Sequence, residues 1–240
     1  MPLVRAVLPE RRRALFVEAA RFGLSPEALL ESCGHALARA ARDLAPDGVA
    51  AREIVVLAGA GRNGTVGLRA GRWLGAWGAR VTALCVPPED DSAAAHEAKL
   101  FTLAGGHMVA PAGARAALSS AGLVIDALVG GSLEGAPSGV VAQLVEDAQD
   151  VECVVLSLDV PTGLDAKTGR ALAPALKADV TLALGLPYAG AAEASDAIGA
   201  LFVADVGLPQ RLLEDAGLTW APWFSKDDPI AYGEDEEAGD

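Results

Sequence analysis

The chain has 240 residues, with 19 Lys and Arg, 32 Asp and Glu, and a formal net charge of −13. This negative balance disfavours nucleic acids and anionic membranes as partners, because both are negatively charged themselves. Hydrophobic residues make up 52% and charged residues 21% of the chain, a composition that excludes an intrinsically disordered protein.

The cysteines and the apolar runs limit the possible classes further. Cys33, Cys85 and Cys153 lie far apart in the sequence, which disfavours a disulfide framework and a zinc site. The sequence shows no signal peptide, and Gly, Asp or Pro interrupts every apolar run before it reaches ~18 residues. We therefore expect a cytoplasmic protein with no membrane partner.

Two helices are predicted at the start of the chain. Apolar residues repeat at helical spacing over residues 10–22, with arginines on the other face, and Gly23 ends the pattern. Ser25 and Pro26 then form the start signal of a second helix, which runs to about Leu44.

Short apolar runs typical of buried strands alternate with helical patterns over the rest of the chain. The predicted strands are Ile54–Leu57, Val81–Val86, Leu123–Leu128, Val151–Leu158, Val180–Leu184 and Ala200–Val203. The predicted helices between them are Leu68–Trp77, Ala93–Leu103 and Val140–Ala148. This alternation predicts an α/β fold with a doubly wound, mostly parallel sheet, a Rossmann-like three-layer α/β/α arrangement preceded by two helices. We expect one domain over residues 1–224 and an acidic, disordered tail over residues 225–240.

A glycine-rich turn follows the first predicted strand. Residues 59–64 read Gly-Ala-Gly-Arg-Asn-Gly, which matches the G-x-G-x-x-G pattern of dinucleotide-binding turns. The backbone N–H groups of such a turn and the following helix N-terminus favour an anionic ligand. Glu89, Asp90 and Asp91 follow the second strand, where a Rossmann protein contacts a ribose hydroxyl. A tight turn that binds nothing is the alternative interpretation.

Four stretches together resemble the NAD(P)H-hydrate epimerase family, also called YjeF N-terminal domains. The family's first loop, G-P-G-N-N-G-G-D-G, is similar to residues 59–67, and its V-D-A-L-F-G strand is similar to residues 125–130. Its most specific motif, S-(V/I)-D-I-P-S-G-(V/L)-D-A-x-T-G, is similar to residues 157–169, and A-x-K-A-D-x-T to residues 175–181. The likeness extends in order over about residues 10–208.

The resemblance implies an isomerase of nicotinamide-cofactor repair that interconverts the R and S forms of hydrated NADH and NADPH. It implies a potassium ion held by Asn63, Asp126 and Thr162, whose threonine hydroxyl replaces that of the family serine. It also implies that Asp159 and two loops bind the substrate. The loop residues are Arg62, Asn63, Gly64, Thr65, Val66, Gly130, Gly131, Ser132, Leu133, Glu134, Gly135 and Ala136. A separate dehydratase is the expected functional partner, and a homodimer is a candidate assembly.

The first loop departs from the family pattern at several residues, three of which bear on the ligand site. Arg62 stands where the family has asparagine, Thr65 where it has glycine and Val66 where it has aspartate. A valine neither accepts a hydrogen bond nor moves a proton, so a non-catalytic nucleotide-binding or interaction module is the alternative function. The planar fork of Arg62 suits a substrate phosphate, while a solvated loop arginine is the simpler interpretation.

Two aspartates are the candidate catalytic residues. Asp126 and Asp159 lie at the carboxyl ends of predicted strands, where open α/β sheets place their ligands. We expect them to converge in one crevice as an acid/base and orienting pair for a hydroxyl-bearing carbon. An NAD-dependent Rossmann oxidoreductase remains a third hypothesis, which rests only on residues 59–64 and residues 89–91.

Overall fold

The computed structural model describes residues 5–218 and 224–232. Its strands are β1 Glu53–Ala58, β2 Arg80–Cys85, β3 His107–Val109, β4 Leu123–Ala127, β5 Val154–Leu158, β6 Val180–Leu184, β7 Ala200–Ala204 and β8 Ile230–Ala231. Its α-helices are α1 Pro9–Glu18, α2 Pro26–Asp43, α3 Arg62–Ala76, α4 Ala93–Leu103, α5 Ala114–Leu118, α6 Gly139–Ala148, α7 Ala189–Glu193, α8 Ser195–Ile198 and α9 Gln210–Asp215. None of these helices has both the length and the apolar character needed to cross a membrane.

The strands of the described residues form one eight-stranded sheet in the order β3-β2-β1-β4-β5-β6-β7-β8. Strands β1 to β7 pair in parallel, and β8 pairs antiparallel with β7. The predicted doubly wound, mostly parallel fold is therefore confirmed. The strand order reverses between β1 and β4, so the loops that follow these two strands diverge and leave a crevice at their carboxyl ends.

Successive side chains of the central strands pack on opposite faces of the sheet, in two different hydrophobic cores. Ile54 and Val56 of β1 pack with α2, α3 and α4, whereas Val55 and Leu57 pack with α5 and α6 on the other face of the sheet. Because strand side chains alternate between faces, a strand covered on both sides must be apolar at every position. This burial explains why the central strands were recognisable as continuous apolar runs.

The predicted elements recur in the structure with shifted ends. The two N-terminal helices are present, and the Ser25 side chain accepts a hydrogen bond of 3.1 Å from the N–H of Ala28, as its N-cap role requires. The helix predicted over residues 68–77 begins six residues earlier, at Arg62, so half of the glycine-rich stretch is helical. The edge strands β3 and β8 were not predicted, because segments of three and two residues show no periodicity.

The boundary between domain and tail was predicted too early in the chain. After residue 224 the chain returns to the sheet, where β8 extends it beside β7. Arg39 of α2 also forms an ion pair with Asp228 within the predicted tail. The acidic run itself, in residues 233–240, lies outside the described residues.

Candidate functional site

Two backbone segments meet in the crevice between β1 and β4. The N–H of Gly59 donates to the carbonyl of Ala127 at 3.0 Å, and a Cβ on Gly59 would lie 2.8 Å from the carbonyl carbon of Leu128. A Cβ on Gly64 would lie 2.7 Å from the carbonyl carbon of Gly59. Neither contact leaves room for a side chain, so these two glycines of the fingerprint are required for backbone packing.

A cavity of about 330 Å³ opens beside these segments, at the low end of the ~300–1,000 Å³ range of small-molecule sites. The predicted residues that line it are Arg62, Asn63, Val66, Gly131, Ser132 and Asp159. Its lining also includes Arg12 and Arg13 of α1, and Asp159 is the single acidic residue that lines it in the described part of the chain. Three arginines around one carboxylate make the cavity favourable for an anionic ligand, in a chain whose net charge is −13.

Other predicted residues lie away from this cavity. Gly64 and Thr65 are buried inside the first turn of α3, where the Thr65 hydroxyl lies 3.2 Å from the Gly61 carbonyl that it donates to. Leu133, Glu134, Gly135 and Ala136 continue the loop after β4 without lining the cavity. The acids over residues 89–91 are exposed and do not line it either, so the structure adds no support for a Rossmann-type ribose contact.

Asp159 is held firmly at the cavity wall. Arg12 donates from Nη1 to Asp159 Oδ1 at 2.8 Å and from Nη2 to Oδ2, which makes the ion pair bidentate. The N–H of Leu184 donates to Oδ1 at 3.2 Å. Asp159 has a φ of +68°, a left-handed conformation that is uncommon for residues other than glycine. The backbone conformation and the ion pair together fix the orientation of this carboxylate.

The sequence analysis assigned the arginines of α1 to the solvent-facing side, and for Arg12 this was wrong. Arg12 is 4% exposed and shares the buried stripe of α1 with Leu15 and Phe16. The spacing of three and four residues from these apolar positions is the signal that identifies the same helix face. Its guanidinium also lies 3.8 Å from the ring centroid of Tyr188, a cation–π contact.

Among the described residues Asp126 does not line the cavity that Asp159 lines, so its predicted convergence with Asp159 stays a prediction. Within β4, Asp126 lies on the same side of the sheet as Val124, which packs with α6, whereas the cavity lies beside α2 and α3. Asp126 accepts hydrogen bonds from Thr162 N–H at 2.7 Å, Thr162 Oγ1 at 2.7 Å, Ser157 Oγ at 3.0 Å and Leu128 N–H at 3.2 Å. Burial raises the pKa of Asp126 despite these donors.

The predicted cation ligands meet on the loop after β4. Thr162 Oγ1 lies 2.7 Å from Asp126 Oδ1 and 3.1 Å from the Val129 carbonyl, although its single proton can satisfy only one of these acceptors. Asn63 lies against Gly130, and its buried Nδ2 has no hydrogen-bond partner among the described residues. A 180° rotation of that amide presents its oxygen instead. An excess of oxygen acceptors beside an unpartnered amide fits a hard cation.

Val66 and Arg62, two of the departures from the family pattern, both line the cavity. Val66 is 2% exposed and packs in the core between the sheet and helices α2 and α3. The guanidinium of Arg62 lies 4.9 Å from the ring centroid of Phe16. Arg62 is otherwise exposed at the cavity mouth, where it is available to an anionic ligand.

Comparison with known families covers most of the chain. Residues 26–190 match the model of the family described as YjeF-related protein N-terminus. The chain belongs to this family. The NAD(P)H-hydrate epimerase of Truepera radiovictrix is 34% identical over 217 residues, covering 87% of this chain and 92% of that protein. The NAD(P)H-hydrate epimerase of Dehalogenimonas lykanthroporepellens is 34% identical over 191 residues, covering 79% and 76%.

A longer relative and a solved structure extend the comparison. The bifunctional NAD(P)H-hydrate repair enzyme Nnr of Thermanaerovibrio acidaminovorans is 34% identical over 224 residues, so the match spans 89% of this chain and 42% of that protein. The crystal structure of yeast ynu0 matches with a TM-score of 0.81 over 95% of this chain and 100% of that chain. At 19% identity, this last likeness shows the shared fold alone.

Proposed function

We propose that this member of the YjeF-related family is an NAD(P)H-hydrate epimerase, which interconverts the R and S forms of hydrated NADH and NADPH. The observation that supports it most directly is the arginine-rich cavity, where the glycine-rich stretch, the loop after β4 and Asp159 meet. Relatives that match most of this chain are named as epimerases of the same compounds. The S form would then be consumed by a dehydratase.

The cavity suits the dinucleotide through its positive charge. Arg12 is neutralised by Asp159, which leaves Arg13 and Arg62 at the cavity without that carboxylate. The N-terminus of α3 adds a partial positive charge, because Arg62 and Asn63 of its first turn line the cavity. The pyrophosphate of the substrate would bind on this side, so the overall negative charge of the chain is no obstacle.

Asp159 is the residue that we assign to the reacting ring. It supplies the carboxylate of the cavity lining, and among the described residues only Arg12 donates to its Oδ2, which leaves that oxygen able to accept a bond from a substrate hydroxyl. Burial raises the pKa of Tyr188 and of Cys33 to about 12, so both side chains stay protonated near neutral pH. Asp159 is therefore the proton acceptor and orienting group of the site.

We propose a potassium ion as the cofactor, held by Asn63, Asp126 and Thr162. The crowded oxygens around Thr162 Oγ1 and the unpartnered amide of Asn63 support this assignment. When bound, the cation would supply positive charge next to the loop that follows β4. Asp126 then acts behind the cavity wall, where it fixes the backbone of Thr162 and Leu128.

A non-catalytic nucleotide-binding module is the second candidate function. Its support is Val66, a buried apolar side chain at the cavity in the position of the family's loop aspartate. If proton transfer by that aspartate is indispensable, the cavity would bind the hydrated nucleotide without converting it. The epimerase function predicts both nucleotide binding and turnover, whereas the module predicts nucleotide binding alone.

One coupled assay tests both functions. The purified protein is mixed with R-form hydrated NADH and a dehydratase specific for the S form, and loss of the R form is followed with and without potassium. We expect the R form to be lost well above the spontaneous rate and this rate to decrease clearly in Asp159→Asn. Asp165→Asn, in a half-buried turn that does not line the cavity, is the control. Turnover at the spontaneous rate with nucleotide binding retained would favour the module, and Val66→Asp would then test the missing aspartate. A protein that neither turns over nor binds the nucleotide would contradict both.

A further inference from the structure

We propose that Arg12 is a positioning residue of this site, which holds the Asp159 carboxylate in the orientation that the substrate requires. The inference rests on the proposed function and adds helix α1 to the site. Arg12 precedes the segment of residues 26–190 that matches the family model, so the match itself assigns it nothing. The proposal is based on the contacts of the Arg12 side chain.

The first observation is the shape of the contact. Two nitrogens of one planar guanidinium donate to the two oxygens of one carboxylate, and Nη1 donates in addition to the Leu186 carbonyl at 3.1 Å. A bidentate fork fixes both the position and the rotation of the Asp159 carboxylate, which a lysine ammonium cannot do. The N–H of Leu184 is a second hydrogen-bond donor to Oδ1.

The second observation is that two aromatic rings contact the guanidinium. It lies 3.8 Å from the ring centroid of Tyr188 and 5.3 Å from that of Phe16. Tyr188 in turn packs on Gly131 of the substrate loop, where a Cβ would lie 2.7 Å from the ring atom Cε2. A continuous set of contacts thus joins this loop, through Tyr188 and Arg12, to Asp159.

The third observation separates this ion pair from a purely structural one. The described chain has another deeply buried pair, Arg69 with Glu97, and those residues lie between α3 and α4 and do not line the cavity. The Arg12–Asp159 pair lines it, and both side chains are at most 5% exposed. Because a buried ion pair contributes less to stability than apolar packing of similar size, its position at the ligand cavity indicates a functional reason.

Chemical rescue tests the proposal. Arg12→Ala removes the fork, and we expect kcat/KM for R-form hydrated NADH to fall about 100-fold, mostly in kcat, because the carboxylate is no longer aligned. Millimolar guanidinium or methylguanidinium should then restore activity roughly tenfold in a saturable manner, since the small cation refills the same space. Arg12→Lys keeps the charge and should recover little activity.

The matched control is Arg39→Ala. Arg39 forms a half-buried ion pair with Asp228, away from the cavity, so its loss should leave kcat/KM unchanged and guanidinium should have no effect. Circular dichroism and thermal melting establish that each variant is folded. If Arg12→Ala does not fold, Arg12→Lys decides alone, because its kcat/KM must fall for the proposal to hold.

Failure of the proposal is distinguishable from failure of the proposed function. Folded Arg12→Ala with wild-type kcat/KM, or an inactive folded variant that guanidinium does not rescue, overturns the role of Arg12 while the wild type stays active. If the wild type shows only the spontaneous rate, calorimetric binding of hydrated NADH replaces turnover, and the same loss and rescue are expected in affinity. Absence of binding by the wild type overturns both proposals.

Discussion

Gly59 and Leu128 lie backbone against backbone at the point where the strand order of the sheet reverses. The position of a Cβ on Gly59 is 2.8 Å from the Leu128 carbonyl carbon, and the Gly59 N–H donates to Ala127 next to it. This contact sets the spacing between the glycine-rich stretch and the loop after β4. Asn63 and Gly131, which follow these two segments, both line the cavity.

Gly59→Ala should lower the free energy of unfolding by about 2–3 kcal/mol, because the new methyl group overlaps backbone atoms that cannot move aside. Gly61→Ala is the matched control, since nothing lies within 4 Å of its Cβ position and its φ is −109°. The control should change stability by less than about 0.5 kcal/mol. Urea unfolding measures both, and equal effects of the two variants would contradict the backbone contact.

Thr162→Val should destabilise the protein by about 2 kcal/mol, because it removes the shorter of the two hydrogen bonds to Asp126 Oδ1 and leaves the N–H of Val129 without its partner. Thr162→Ser keeps the hydroxyl and should lose less than about 1 kcal/mol. In the coupled assay, Thr162→Val should also lose any activation by potassium, whereas the serine variant retains it. Activation that survives in the valine variant would remove Thr162 from the cation site.

Asp126 should make stability fall with rising pH. Burial raises its pKa above the ordinary value of 3.8, so the folded state binds this proton more tightly than the unfolded state. Its contribution is complete below the unfolded pKa and is lost as the pH rises through the folded pKa. The stability difference between wild type and Asp126→Asn should therefore shift against the wild type as the pH rises above the unfolded pKa, in buffers without alkali cations.

Asp165 supplies a control of opposite sign for this pH series. The N–H of Lys167 lowers the pKa of Asp165, so its contribution is present above the unfolded pKa and disappears as the pH falls through the folded pKa. The wild type should therefore gain stability over Asp165→Asn as the pH rises through the acidic range. Parallel slopes for the two aspartates would show that the Asp126 site is not desolvated.

Glu97→Gln should cost about 3 kcal/mol of stability, because the buried guanidinium of Arg69 then loses a fully buried charged partner 2.9 Å away. Glu53→Gln is the surface control. Glu53 pairs with Arg80 where both side chains are exposed, so its loss should cost less than about 1 kcal/mol. A cost for Glu97→Gln as small as that of the surface variant would contradict the ion-pair network between α3 and α4.

The predictable part of this fold consisted of its long, locally patterned elements. The central strands are apolar on both faces, and the second N-terminal helix begins at a capping serine, so single segments contained the signal. Edge strands β3 and β8 were missed because three and two residues carry no periodic signal. The start of α3 was placed late, because the glycines over residues 59–67 were interpreted as one continuous turn.

The candidate site was predictable in its residue types and only partly in its geometry. The motif over residues 157–169 singled out Asp159, which lines the cavity, and Thr162, which binds Asp126. The predicted pairing of Asp126 with Asp159 was not decided by the motifs, because the side of the sheet that a residue at a strand end faces depends on its register. Arg12 was overlooked, because a charged residue on a short helix is usually solvated.

By itself, the sequence determined the fold class, the glycines of the β1 turn and the family of the chain, because these depend on local patterns and ordered motifs. The tertiary structure alone decided which acidic side chains reach the cavity. Strand alternation turns Asp126 toward α6, while the docking of α1 brings Arg12 onto Asp159 across 147 positions of sequence. Such a contact depends on how distant elements pack, and no local pattern specifies that packing.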